Sequence, residues 1–240
     1  MDQMKNQYFG DINDYRKYGL IRLLAGGGEI KTGICWMLTP DDTKTDGKFT
    51  KYLAEPNKYK KFDPDLYGFL GKCIELNARN ILEAANSYKF HSTVFFNPIL
   101  EDDAVKREQY FSNMYKLFQG VDLIFFDPDN GLEIKSKSLG QKDSSKYLYW
   151  SEVVECYKKG QSILIYQHFI REDRNKFISK ILENIHTKTG SRNTIYFRTS
   201  NVVFFLICQD KHSQYFSNKS KTISNKWGGQ IQVFPKIEET

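Results

Sequence analysis

Asp127-Pro128-Asp129-Asn130 sets two carboxylates and a primary amide on four consecutive residues. A rigid proline behind an aspartate fixes the turn and aims main-chain carbonyls to one side. Such a cluster can accept hydrogen bonds from an exocyclic amine, as methylation of that amine requires. With Glu133 it offers a second chemistry. Asp127, Asp129 and Glu133 would be hard oxygen ligands for Mg²⁺, with Lys135 stabilising charge and His168 assisting, as in a divalent-metal-dependent nuclease. Glu133-Ile134-Lys135 has the E-x-K spacing of many nucleases. Crowded carboxylates favour that reading, because they repel unless a cation or a proton relieves them. The plain alternative is a turn with a capping aspartate and an asparagine in a left-handed conformation.

Two further clusters accompany the first. Tyr166-Gln167-His168 closes a second apolar run, and His168 is a base, metal ligand or phosphate donor by type. Arg171 and Arg174 follow it and could meet phosphate or simply face solvent. Near the start, NQYFGDINDYRKYG at 6–19 mixes aromatic, glycine and charged residues ahead of a helix. Tyr8 or Phe9 could stack on a base, while Arg16 and Lys17 could hold an anion. The sequence lacks a G-x-G-x-x-G after the first strand, a P-loop and a nucleophile elbow, which argues against nucleotide hydrolysis and acyl transfer.

These clusters need elements to position them. Val121–Phe126 is apolar at five of six positions and ends in a Pro/Asn/Gly turn, the pattern of a strand buried on both faces. The polar residues then fall past its carboxyl end, where open α/β sheets bind ligands. Strands are also predicted at 30–38, 92–97, 161–169, 193–199 and 201–209, with a short one at IQVFP. Helices are predicted at 13–25 (capped by Asn13 or Asp14 and ended by Gly26-Gly27-Gly28), 63–76, 79–88, 102–118, within 144–160, at 171–186 and over 211–227. The alternation implies an α/β fold, a Rossmann-like mostly parallel sheet flanked by helices, closed by a C-terminal antiparallel strand hairpin. No repeat or linker divides residues 1–240, so a single domain is expected. The Lys-, Asp- and Pro-rich stretch 39–62 is the candidate inserted or mobile segment.

Composition sets outer bounds. The 240 residues carry 35 Lys and Arg against 29 Asp and Glu, a formal charge of +6 that suits a DNA or RNA partner without requiring one. The four cysteines, Cys35, Cys73, Cys156 and Cys208, have no metal-knuckle spacing and read as reduced core thiols. No apolar run reaches membrane-spanning length and the start has no signal-type apolar region, so a cytoplasmic protein with no membrane partner is expected.

With these residues in view, the chain resembles the class I S-adenosylmethionine-dependent methyltransferases. Their fourth strand ends in an (Asp/Asn)-Pro-Pro-aromatic motif and a strand hairpin closes their sheet. Asp127-Pro128-Asp129-Asn130 stands in the motif's place and 193–209 in the hairpin's. The segment Gly10–Tyr18 is similar to the opening of the J-type ribosomal RNA adenine-N6 methyltransferases, matching at Gly10, Asp14 and Lys17, with Tyr18 in place of a histidine. The three-Cys-motif partner proteins are loosely similar. Two departures stand out. Thr39-Pro40-Asp41-Asp42 replaces the family's glycine-rich cofactor loop, and Asp129 and Asn130 replace the motif's second proline and its base-stacking aromatic.

The resemblance implies a nucleic-acid-modifying protein with S-adenosylmethionine as cofactor. Asp127, Pro128, Asp129, Asn130 and His168 would be catalytic. Gly10, Asp14, Lys17 and Tyr18 would serve the cofactor, and Tyr8, Phe9, Arg16 and Arg171 the substrate. A nuclease with Mg²⁺ on the rim, and a non-catalytic nucleic-acid or protein binding module on the same fold, remain the alternatives.

Overall fold

The structure, a computed structural model, describes residues 9–40, 49–87 and 90–237. Helix α1 (Ile12–Ala25) leads into β1 (Thr32–Cys35). A short helix α2 (Pro56–Tyr59), then α3 (Pro64–Glu75) and α4 (Ile81–Asn86), precede β2 (Thr93–Phe96). Helix α5 (Ala104–Leu117) connects to β3 (Leu123–Phe126), which is followed by the two-residue strands β4 (Gly131–Leu132) and β5 (Tyr147–Leu148). Then come α6 (Trp150–Lys158), β6 (Ser162–His168), α7 (Arg174–Thr189), β7 (Asn193–Arg198), β8 (Val202–Ile207), α8 (Asp210–Trp227) and β9 (Gln232–Ile237).

Seven strands form one mixed sheet in the order β2-β1-β3-β6-β8-β7-β9. β2, β1, β3 and β6 are mutually parallel, with Ile34 opposite Phe125 and Phe125 opposite Leu164. β8 enters antiparallel between β6 and β7, so the expected hairpin is present. β9 adds a second reversed strand at the far edge.

Both faces of the sheet are covered, which explains the unbroken apolar runs. Along β3, Leu123 and Phe125 point into the core beneath α1, α3 and α8. Ile124 and Phe126 point into a second core beneath α5, α6 and α7. The strand period of two divides one sequence run between two cores.

Helix α1 begins one residue earlier than the sequence suggests, because Asp11 caps it: its side chain accepts from the Asn13 and Asp14 main-chain N–H groups. Gly26 closes it in the left-handed conformation. The first predicted strand, 30–38, shortens to four paired residues. Trp36, Met37 and Leu38 are buried but leave the main ladder, with Met37 at φ 48° and Leu38 bridging only to Ile99. Of the candidate inserted segment, 41–48 lies outside the described residues. Its described remainder packs against α1: Tyr52 and Phe62 are buried, and the Tyr15 hydroxyl donates to the Tyr59 carbonyl at 2.8 Å. All four cysteines are buried and free. Among the described residues no helix is long and apolar enough to cross a membrane.

Candidate functional site

A cleft of about 460 Å³ opens at the carboxyl ends of β1, β3 and β6. Three stretches that follow parallel strands supply its wall: Trp36–Thr39 after β1, Asp127–Asn130 after β3, and Tyr166 and His168 at the end of β6. α1 closes the remaining side with Asp11, Asn13, Asp14 and Lys17, joined by Phe9, Phe49, Ile81, Lys146 and Asn201. Asp127 and His168 therefore line one shared cleft.

Lys17 lies at the centre of the site. Its Nζ is 2.7 Å from Asp127 Oδ2 and 2.8 Å from Asp14 Oδ1. The rings of Tyr18, Trp36 and Tyr166 surround it with centroids at 5.4, 5.4 and 5.5 Å. Burial alone would discharge Lys17, but the Asp127 and Asp14 carboxylates hold its ammonium well above the ordinary lysine range. Burial pushes Asp127 up to about 6, against the pull of Lys17 and with help from Asp14 and Asp129. Asp11 also rises to about 6, through burial and the charge of Asp14. Partial desolvation at the cleft and the Lys17 charge hold the His168 imidazole below the ordinary histidine range, although its side chain reaches solvent.

The loop after β3 is a tight turn. The Gly131 N–H donates to the Pro128 carbonyl at 3.3 Å, and the Asn130 N–H to the Lys146 carbonyl at 2.8 Å. The left-handed residue is Gly131, at φ 85°, not Asn130. A Cβ on Gly131 would sit 2.3 Å from the Gln167 side chain, so only glycine fits there. Gln167 in turn accepts from the Leu132 N–H at 2.8 Å and ties this turn to β6. Across the cleft mouth the Thr39 hydroxyl donates to Asp129 Oδ2 at 2.9 Å, linking the loops after β1 and β3.

The candidates sort unequally. Asp127, Pro128, Asp129, Asn130, His168, Asp14, Lys17 and Phe9 all line the cleft. Gly10 and Tyr18 do not; each steadies Asp14, the Gly10 N–H at 3.0 Å and the Tyr18 hydroxyl at 3.2 Å from its Oδ2. Arg16 lies outside the cleft, on Gln230. Arg171 is exposed and also outside it. Tyr8 is outside the described residues.

The metal set is not assembled. Glu133 is drawn away by the turn, and its Oε1 accepts from the Trp150 N–H at the start of α6 at 3.1 Å. Lys135 is exposed and off the cleft. Among the described residues no group of three or more His, Cys, Asp or Glu side chains is placed to hold a metal ion. Sequence reasoning missed Trp36, Phe49, Lys146 and Asn201 as site residues; it placed Trp36 within the strand 30–38 and Asn201 within 201–209, whereas β1 ends at Cys35 and β8 begins at Val202. Asp11, the residue that caps α1, was passed over in favour of Asn13 and Asp14.

A second constellation proves structural. His212 Nδ1 is 3.0 Å from Ser162 Oγ, and His212 Nε2 is 3.4 Å from Asp122 Oδ1. That order of residues suggests a nucleophilic triad. Ser162 is fully buried at the amino end of β6, and its Oγ already accepts from the Gln209 N–H at 3.0 Å. The group fastens α8 to the sheet.

Comparison with protein-family models, with curated proteins and with solved structures gives no match for this chain.

Proposed function

We propose that the cleft binds S-adenosylmethionine and that the protein is a nucleic-acid-modifying methyltransferase-like enzyme. The observation that carries this reading is the shared site of Lys17, Asp14 and Asp127, which joins the Gly10–Tyr18 segment to the strand-end Asp-Pro motif. These are the two pieces on which the family resemblance rests, 110 residues apart in sequence and in contact in space.

Charge and shape fit the cofactor. Asp11, Asp14, Asp127 and Asp129 line the cleft against the amines of Lys17 and Lys146, an acidic excess suited to a sulfonium and an α-ammonium group. Phe49, exposed on the cleft wall, offers a ring face for an adenine, with Phe9, Trp36 and Tyr166 lining the cleft from buried positions. The Trp36 indole N–H is buried without an acceptor among the described residues. The volume is within the roughly 300–1,000 Å³ of small-molecule sites. The left-handed Met37 takes the chain past the end of β1 where the family uses glycine.

The cofactor, when bound, supplies an activated methyl group. The chain's own contribution is positioning. Asp127 Oδ2 is held by Lys17, and its other oxygen makes no hydrogen bond to the described residues, so it can accept from a target amine. His168 in its neutral form can take the proton that such an amine releases. Orientation of this kind accounts for much of the barrier reduction in group transfer. Glu133's place beside α6 leaves the nuclease alternative without its third ligand.

Calorimetric titration tests the reading. S-Adenosylmethionine should bind saturably and more tightly than neutral-sulfur S-adenosylhomocysteine, because the rim is acidic. Asp129→Asn should weaken binding or methyl transfer about tenfold, roughly the 1–2 kcal/mol of one charged hydrogen bond, without lowering the melting temperature. Absence of heat with the unaltered protein defeats the proposal. Oligonucleotide binding without cofactor binding would favour a non-catalytic module.

A further inference from the structure

Beside the acidic cleft lies a second hollow of about 380 Å³ with the opposite character. Arg16 from α1, Arg174 from the first turn of α7 and Arg198 from the end of β7 line it, with Thr199, Ser200 and Gln230. No carboxylate among the described residues lines it. Among the described residues none of the three arginines forms an ion pair with a carboxylate, whereas Arg22 and Arg107 both do.

The guanidinium groups are held by neutral neighbours. Arg16 donates through Nε and Nη2 to Gln230 Oε1 at 3.1 and 2.8 Å, and is half-buried. Arg174 and Arg198 both lie over the Phe169 ring, with guanidinium carbons 4.7 and 5.7 Å from its centre. Three cations that share one hollow with no carboxylate paired to them repel each other, and a bound anion relieves that repulsion. Planar guanidinium groups match the oxygen spacing of a phosphate.

The hollow adjoins the cleft through neighbouring residues. Asn13 lines the cleft and its Oδ1 is 3.5 Å from Arg16 Nη1. Ser200 lines the hollow and the next residue, Asn201, lines the cleft. A ligand that spans both meets carboxylates at one end and guanidinium groups at the other. A nucleotide within a strand has that polarity, with an amine-bearing base and a phosphodiester.

We propose that the Arg16–Arg174–Arg198 hollow is a phosphodiester subsite that grips the nucleic-acid backbone next to the nucleotide whose base enters the cleft. The inference rests on the nucleic-acid reading above and adds to it the part of the substrate that is held and the residues that hold it. It also explains how an acidic cleft accepts a polyanion: the strand is anchored outside it, and only the base goes in.

The test measures fluorescence anisotropy of short labelled single-stranded RNA and DNA against the full chain over a salt series. Arg174→Ala with Arg198→Ala should weaken binding at least about tenfold, and each phosphate left without its guanidinium should flatten the log–log salt slope by roughly 0.7. Arg174→Lys, which keeps the charge, should retain most of the slope. S-Adenosylmethionine titration of the double variant serves as the folding control and should be unchanged, or its melting temperature should be if the cofactor does not bind. Should Arg198→Ala perturb folding, Arg174→Glu reads the same site from an exposed position.

Undiminished affinity and slope in the variants would overturn the subsite, as would failure of the unaltered protein to bind either strand. Competition by inorganic phosphate or a mononucleotide as strong as by the strand would overturn the backbone assignment. Arginine-dependent strand binding with no cofactor binding would sink the methyltransferase reading and leave the subsite standing.

Discussion

Burial sets how tightly two of the cleft carboxylates, Asp127 and Asp11, hold their protons. Asp127 and Asp11 both titrate near 6 rather than at the ordinary 3.8. Between those values the native state binds protons more tightly than the unfolded chain, so these groups make stability fall as pH rises from about 4 to about 6. Ionisation of the same groups makes the cleft more acidic. Affinity for the sulfonium cofactor should therefore rise through pH 6 and level off above it, in calorimetry from pH 5 to 8. Asp127→Asn should remove much of that rise. An unchanged profile in this variant would mean that Asp127 does not face the ligand.

The buried pair Arg107–Glu152 has a different role. Arg107 Nε and Nη2 donate to the two Glu152 oxygens at 2.6 and 2.9 Å, and Nη2 also reaches the Tyr147 carbonyl at 2.7 Å. It bolts α5 to α6 and to the strand β5, away from the cleft. Arg107→Met should cost about 3–5 kcal/mol in urea unfolding, because it strands a buried carboxylate. Cofactor affinity of the folded fraction should be preserved.

At the scale of elements, α1 is positioned by close approach to α8. A Cβ on Gly19 would lie 2.3 Å from the Trp227 ring, and Trp227 itself is fully buried against Tyr15 and Phe62. Gly19→Ala should destabilise the protein by about 1–3 kcal/mol through overpacking. Combining it with Trp227→Leu should cost less than the sum of the two, a coupling that a double-mutant cycle in denaturant reads directly. Because α1 carries Asp14 and Lys17, the single Gly19 change should also weaken cleft binding.

Which elements were legible follows from their periodicity. The helix before Gly26 and the apolar strands β3 and β6 were plain because their signals are local. β1 was overextended, since Trp36, Met37 and Leu38 are apolar for the sake of two cores and not of a ladder. β4 and β5 have two residues each and no period to detect. In the site, Asp127 and His168 were visible as strand-end residues, and Lys17 through its resemblance motif. Trp36 and Asn201 were not, because only tertiary packing brings their loops to the rim. Glu133 was misplaced by nearness in sequence, which the turn closed at Gly131 undoes.

The whole molecule is organised around the centre of its sheet. β3, β6 and β8 are buried along nearly their full length, while β2 stands at an edge with Val94 exposed. Hydrogen exchange should find the Leu164 and Leu206 amides, which face each other across β6 and β8, among the slowest. The β2 amides that do not face β1 should exchange first. Comparable rates for β2 and β6 would mean that the sheet opens as one unit.

The clasp of Gly19 on Trp227 also sets a timetable for synthesis. Lys17 leaves the ribosome before Asp127, and the tryptophan that seats the lysine's helix follows more than two hundred residues after Lys17. A nascent chain therefore has no finished cleft until α8 has emerged, and a message cut short before Trp227 should yield a product whose cleft stays incomplete, however intact its first strands.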